Sequence, residues 1–248
     1  MEFFNLYGPR FIIMESLLEA ELICSAGLRF TLGDSSILVD ALNQAIQSFR
    51  VISQETAKAI LSGEPPYTNV QGLLYTHLHP DHYAPALNAQ FLQLHPGVKT
   101  FFPNPDSPDH GILNVGPFTV EYQYLEHTPC NYTWRKHYVL LISAGGVRIY
   151  VTSDASLDPA QHLAFLGNRH VDYSFWNSMY LSYPETRRLM DQVSSKVYIY
   201  HMPEPEGDRS GFCRKAQLNL QRYPEELRKV TVLETYPTFM MMPKLDQE

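Results

Sequence analysis

Three imidazoles and one carboxylate fall within six consecutive residues of this chain, in the stretch Thr76-His77-Leu78-His79-Pro80-Asp81-His82. The apolar run Val70-Gln71-Gly72-Leu73-Leu74-Tyr75 leads into it and reads as a short buried strand opening into a loop. His77 and His79 stand two apart, so on extended backbone they project to the same side. Pro80 ends regular pairing and biases His79 toward extended backbone. Asp81 and His82 follow on the turned segment and can face a second point in space. This geometry suits two adjacent metal ions better than one. A scatter of polar residues in a surface loop is a poor account of so dense a cluster behind a strand.

The pattern His-x-His-x-Asp-His resembles the signature of the metallo-β-lactamase superfamily, which adds a third His, a bridging Asp and a late His from later loops. The chain offers a candidate for each in the same order. His127 closes the run from Phe118 to Glu126, Asp154 closes Val147 to Ser153, and His201 closes Lys196 to Tyr200. Each sits just past a β-branched or aromatic run, where an α/β scaffold places its functional loops. The segment LICSAGLRFTLGDSSILVDA (22–41) is similar to the family's early hairpin, which ends in an apolar strand and an Asp. YPETRRLMDQVSSKVYIYH (183–201) is similar to its late helix and strand. The chain departs from many relatives at its start, with Phe3-Phe4-Asn5-Leu6-Tyr7-Gly8-Pro9 in place of a strand and a Gly-Thr-Gly-like turn.

The resemblance implies an α/β fold, an αββα sandwich of two facing mixed sheets with helices on the outer faces, in one domain over residues 1–248. It implies that His77, His79 and His127 hold one metal, that Asp81, His82 and His201 hold a second, and that Asp154 bridges them. Imidazole and carboxylate donors without thiolate suit two divalent ions, zinc first, with manganese or iron compatible. Such a pair implies attack by a bridging hydroxide on a carbonyl or phosphorus centre. Asp81 and Asp154 are then the catalytic candidates, the first anchoring its metal and orienting the hydroxide, the second serving both ions.

Composition narrows the class. A formal charge of -7 argues against a general nucleic-acid binder, which needs a basic surface. Hydrophobic content of 44% with 18% charged residues is that of a soluble globular chain. The plentiful Tyr and Phe suit sheets. Cys24, Cys130 and Cys213 are odd in number and lack CxxC spacing, which fits reduced thiols and a cytoplasmic location. No stretch reads as a secretory or membrane-spanning segment.

Of the remaining histidines, His95, His110 and His162 read as surface or capping residues. His137 and His170 stand beside Arg135-Lys136 and Arg169 and are candidates for contact with an anionic substrate. Arg209, with Arg214 and Lys215, lies in a segment after His201 that should rim the site. Tyr132, Trp134, Trp176 and Tyr180 are pocket or core candidates. The local patterns predict a strand near 3–7, an amphipathic segment near 13–22, a hairpin over 22–40 and a helix over 41–62. They also predict helices over 84–94, 159–166, 184–194 and 214–222, and strands at 100–102, 171–175, 196–200 and 230–235. Phe118 to Ser153 reads as mostly β, and Met240-Met241-Met242 as packing against an edge.

The leading functional reading is hydrolysis of an ester, lactone or phosphodiester bond in a small molecule. A nucleic-acid-processing nuclease is the alternative, but no added nucleic-acid-binding arm is evident. A diiron redox protein would need a flavin partner domain. A non-catalytic binding module should have lost ligands.

Overall fold

The computed structural model describes residues 17–46, 48–128 and 136–245. The expected strand at 3–7 and the residues Cys130, Tyr132, Trp134 and Arg135 lie outside them. The chain opens with β1 (Leu18–Leu22), β2 (Leu28–Leu32) and β3 (Ser35–Val39), then α1 (Gln54–Ser62), β4 (Val70–Leu74), α2 (Pro85–Leu94) and β5 (Lys99–Phe101). A mainly β stretch follows: β6 (His110–Val115), β7 (Phe118–Tyr124), β8 (Tyr138–Ala144) and β9 (Val147–Ser153). The remainder alternates through α3 (Pro159–Leu166), β10 (Val171–Asn177), α4 (Pro184–Val193), β11 (Ser194–Tyr200), α5 (Phe212–Arg222), β12 (Val230–Val232) and β13 (Thr238–Met242).

Two mixed sheets face one another, in strand orders β13-β1-β2-β3-β4-β5 and β12-β11-β10-β9-β8-β7-β6. Side-chain alternation explains the layering. On β9, Val147, Ile149 and Val151 point into the core between the sheets, where they meet Phe30, Ile37, Val39 and Phe175. Tyr150 points the other way and packs with Trp176, Leu189 and Ala216 under α3, α4 and α5. Leu38, Leu73 and Tyr75 of the first sheet pack outward against Ile60 of α1 and Phe91 of α2. Each such side chain contributes about 1.5–3 kcal/mol on full burial. The result is the expected αββα sandwich. No helix among the described residues is long and apolar enough to cross a membrane.

Several local expectations change. The predicted helix over 41–62 begins only at Gln54, because Ser53 caps it by accepting from Thr56 N at 3.0 Å. Before that, Asn43 pins the chain as a loop: its Nδ2 donates to the Arg50 and Asp81 carbonyls, and its Oδ1 accepts from Ile52 N. The early hairpin is a three-stranded meander. Met240–Met242 does not pack against an edge but belongs to β13, the edge strand itself, paired antiparallel with β1. Strand β6 was not anticipated; five of its six residues are exposed or half-buried, so it carries little apolar pattern.

His162 is also not the surface residue its sequence context suggests. It is completely buried on α3, with Nδ1 2.8 Å from the Tyr150 hydroxyl and Nε2 2.7 Å from the Ser156 carbonyl. A carbonyl only accepts, so Nε2 carries the proton and Nδ1 accepts from Tyr150. Burial pushes its pKa down from 6.5 to about 4. The unfolded chain takes up this proton near pH 6.5, whereas the folded chain takes it up only near pH 4. Stability is therefore lost as pH falls across that window, by about 3 kcal/mol in total. His162→Gln is expected to flatten this part of a plot of unfolding free energy against pH. An unchanged slope would show that the imidazole charges freely in the folded protein.

Candidate metal centre

The chain ends of the parallel strands build the site. β3 and β4 run parallel in one sheet, as do β9, β10 and β11 in the other. Asp40 follows β3, the His77–His82 loop follows β4, Asp154 follows β9 and His201 follows β11. Among the described residues the non-glycine positions with positive φ are Asp40 (51°), Ser153 (50°) and His201 (56°). All three sit at these strand ends. Left-handed backbone is unfavourable for such residues and persists where the surroundings over-determine it. Here it turns the chain sharply enough for a side chain to face the cleft.

Four imidazole nitrogens converge on one carboxylate oxygen. Asp154 Oδ2 lies 3.7 Å from His77 Nε2, 3.4 Å from His82 Nε2, 3.6 Å from His127 Nε2 and 3.5 Å from His201 Nε2. Asp81 Oδ2 is a further 3.5 Å from His201 Nε2. The donor atoms fall into three groups close enough to share an ion: His77, His79 and His127; His77, His82 and Asp154; Asp81, His82 and His201. All seven residues singled out from the sequence as metal ligands are in these groups.

A layer of polar groups behind them orients the rings. Buried Asp40 accepts from Thr76 N (2.8 Å) and Thr76 Oγ (2.6 Å) and lies 3.0 Å from His82 Nδ1. Since Thr76 gives its hydroxyl proton to Asp40, its oxygen accepts from His77 Nδ1 at 3.1 Å. Ser25 Oγ holds His201 Nδ1 at 2.7 Å. Asn177 Nδ2 donates to the Ser153 carbonyl (2.9 Å) and to Asp154 Oδ1 (3.3 Å), leaving Oδ2 to the imidazoles. In each ring so anchored, Nε2 is the nitrogen turned toward the cleft.

The electrostatics fit a bound cation. Burial, followed by His82 and His137, holds the His77 pKa well below its usual value, so the ring is neutral as a ligand must be. Its Nε2 is buried without a hydrogen-bond partner. Burial opposes charge on His82, yet the Asp40 and Asp81 carboxylates outweigh it and raise its pKa well above the usual value. Burial likewise opposes charge on Asp154, and His201 with His82 reverses the balance and holds its pKa low. The carboxylates of Asp40, Asp81 and Asp154 thus favour positive charge among the converging ring nitrogens, and a divalent cation would take the place of the proton drawn to His82. The residues present therefore fit a metal.

The other sequence candidates divide. His137 joins the cluster, with its ring centroid 5.0 Å from that of His77 and 5.6 Å from that of His127, and it is completely buried. It belongs among the imidazoles, not on the rim. His170 does not reach the site: it precedes β10, at the opposite end from the strand termini that carry Asp154 and His201. It contacts Ser195 Oγ and the Gln192 carbonyl instead. The described basic residues beside these two histidines have partners of their own. Lys136 is engaged by Asp109 and by the Ser107 carbonyl, and Arg169 by Glu121 and two carbonyls. Trp176 and Tyr180 are core. Arg209 is exposed and borders a cleft of about 520 Å³ whose wall includes Phe49, and the Phe49 ring lies tilted against that of His201 with centroids 4.6 Å apart. Ser25, Thr76 and Asn177 were not foreseen. In the sequence Asp40 stands out only as the end of an apolar strand, the one signal it offers.

No protein-family model matches the chain, and no curated protein matches its sequence. Solved structures do match. YhfI from Bacillus subtilis, a metallo-beta-lactamase fold protein, superposes with a TM-score of 0.57 and 16% identity over 91% of this chain and 99% of that one. A possible metal-dependent hydrolase from Veillonella parvula DSM 2008 gives 0.62 and 12% over 91% and 99%. CmlA from Streptomyces venezuelae, a diiron beta-hydroxylase, gives 0.63 and 13% over 91% of this chain but 54% of its own, so the chain spans about half of that protein. Likeness at such identities is likeness of fold, and with the sheet orders above it leads to one conclusion: this chain has the metallo-β-lactamase fold.

Proposed function

We propose that the protein is a binuclear metal-dependent hydrolase that cleaves an ester, lactone or phosphodiester bond in a small anionic molecule. The observation that carries this reading is the convergence of four imidazole nitrogens on Asp154 Oδ2 within 3.7 Å. His77, His79 and His127 would hold one ion and Asp81, His82 and His201 the other, with Asp154 between them. Ions held there would supply water activation near neutral pH and polarise the bond to be broken. Zinc suits this set of imidazole and carboxylate donors, and manganese or iron is compatible with it. The protein's own contribution is orientation: Asp40, Thr76 and Ser25 hold the Nδ1 atoms of His82, His77 and His201, so that each of these rings presents Nε2. Asp81 reaches the cleft next to His201, where it can also orient an attacking water.

The cleft shared by Phe49 and Arg209 supports an anionic substrate. Arg209 has no ion-pair partner among the described residues, so its guanidinium is available to a phosphate or carboxylate. Arg209→Ala is expected to raise KM for anionic substrates about tenfold with kcat little changed, the signature of lost uniform binding. A fall in kcat alone would remove Arg209 from substrate binding.

Elemental mass spectrometry on protein purified without chelator, followed by a panel of lactones and phosphodiesters, tests the whole reading. About two zinc or manganese ions per chain with turnover would support it. Two irons would favour oxidative chemistry of the kind named for CmlA. No metal, and none taken up, would refute it.

A further inference from the structure

Five histidines are buried: His77, His82, His137, His162 and His201. Four of them place at least one ring nitrogen in a hydrogen bond. His137 places neither; Nδ1 and Nε2 are both buried without a partner. His162 shows what a structural histidine looks like in this protein, with both nitrogens satisfied by Tyr150 and Ser156. A buried polar group left in that state is strongly disfavoured unless something outside the polypeptide completes it.

The surroundings of His137 indicate what that is. Its ring forms a triangle with those of His77 and His127, with centroid separations of 5.0, 5.6 and 4.8 Å. The triangle of His77, His79 and His127 has sides of 4.5, 4.7 and 4.8 Å, and its nitrogens do converge. The two triangles share the His77–His127 edge. His137 enters from the start of β8, where its backbone carbonyl accepts from Leu125 N and the next residue, Tyr138, donates to the Thr76 carbonyl. That pairing ties it to both the His127 and the His77 segments. We infer that His137 is an eighth donor of the metal centre, so that the ion on the His77–His127 side is held by four imidazoles. The His137 nitrogens stand outside the three groups whose donor atoms already converge, so this ring has to turn toward the ion to complete the set. A site of four imidazoles prefers zinc, cobalt or copper over manganese or magnesium, which favour oxygen.

This inference rests on the proposed metal centre, and the test separates the two. Cobalt(II) chloride is titrated into metal-free wild type, His137→Phe and His137→Asn. Visible absorption, competition with a chromophoric chelator and melting temperature are recorded. The Phe variant keeps the ring volume and removes two unsatisfied nitrogens, so without metal it should melt at or above wild type. With cobalt its melting temperature should rise less, its affinity for one ion should fall at least about tenfold, and its visible bands should change. The Asn variant, which remains polar, carries the comparison if the Phe variant fails to fold. Wild-type affinity, spectrum and cobalt-induced stabilisation in the variants would overturn the inference while leaving the metal centre standing. A wild type that takes up no cobalt would overturn both.

Discussion

Asp154→Ala protein is expected to lose hydrolytic activity and most of its metal together. The reason is geometric: one carboxylate oxygen lies within 3.7 Å of four ring nitrogens from three separate chain segments. Removing a side chain that only orients a ligand lowers metal affinity about ten- to hundredfold. Asp154 sits among the donors themselves and places a negative charge where four ring nitrogens meet, so its loss should exceed that range. If the proposed centre holds two ions, metal content would fall to less than one. Asp154→Asn is the more discriminating change, because it keeps the shape and the contact with Asn177 but removes the charge. If either variant kept full metal content and turnover, the bridging position would belong to another residue.

The second large effect is expected at Asp40, which touches the site only through its neighbours. It is completely buried and is fastened by Thr76 N, Thr76 Oγ and His82 Nδ1 at 3.0 Å or less. Asp40→Ala strands these donors, leaves His82 without its countercharge and puts Ala in left-handed backbone. A loss of about 3–5 kcal/mol in unfolding free energy follows. Asp40→Asn separates folding from function, because Asn tolerates the positive φ and can still accept one hydrogen bond. Its fold should survive at a cost of about 1–3 kcal/mol. Its metal affinity should still fall about ten- to hundredfold, since His82 is no longer oriented by a charge. Denaturant unfolding of the metal-free variants together with metal titration measures both. Unchanged metal affinity in Asp40→Asn would mean that packing alone holds the His82 ring.

The legible elements were those specified within a few residues of themselves. α3 could be bounded to the residue because Asp158, Pro159 and Gly167 mark its ends locally. The helix predicted from residue 41 is absent up to Ser53 because Asn43 bonds to Arg50, Ile52 and Asp81, and no periodicity encodes those partners. Strand β13 was missed because an edge strand needs its neighbour to be recognised, and β1 lies more than two hundred residues earlier. The two basic-flanked histidines make the same point. His137 and His170 look alike in sequence, yet strand direction buries one among the imidazoles and sends the other to the far end of its sheet.

By itself, the sequence determined the spacing of His77, His79, Asp81 and His82 and the placing of His127, Asp154 and His201 just past strands. These are short-range properties of backbone period and turn chemistry. Only the tertiary structure decided which groups stand behind the ligands, Asp40 and Ser25 among them, and that His137 lies beside His77. Those relations join segments up to 176 residues apart. They exist only once two sheets pack face to face and bring their chain ends to a common edge.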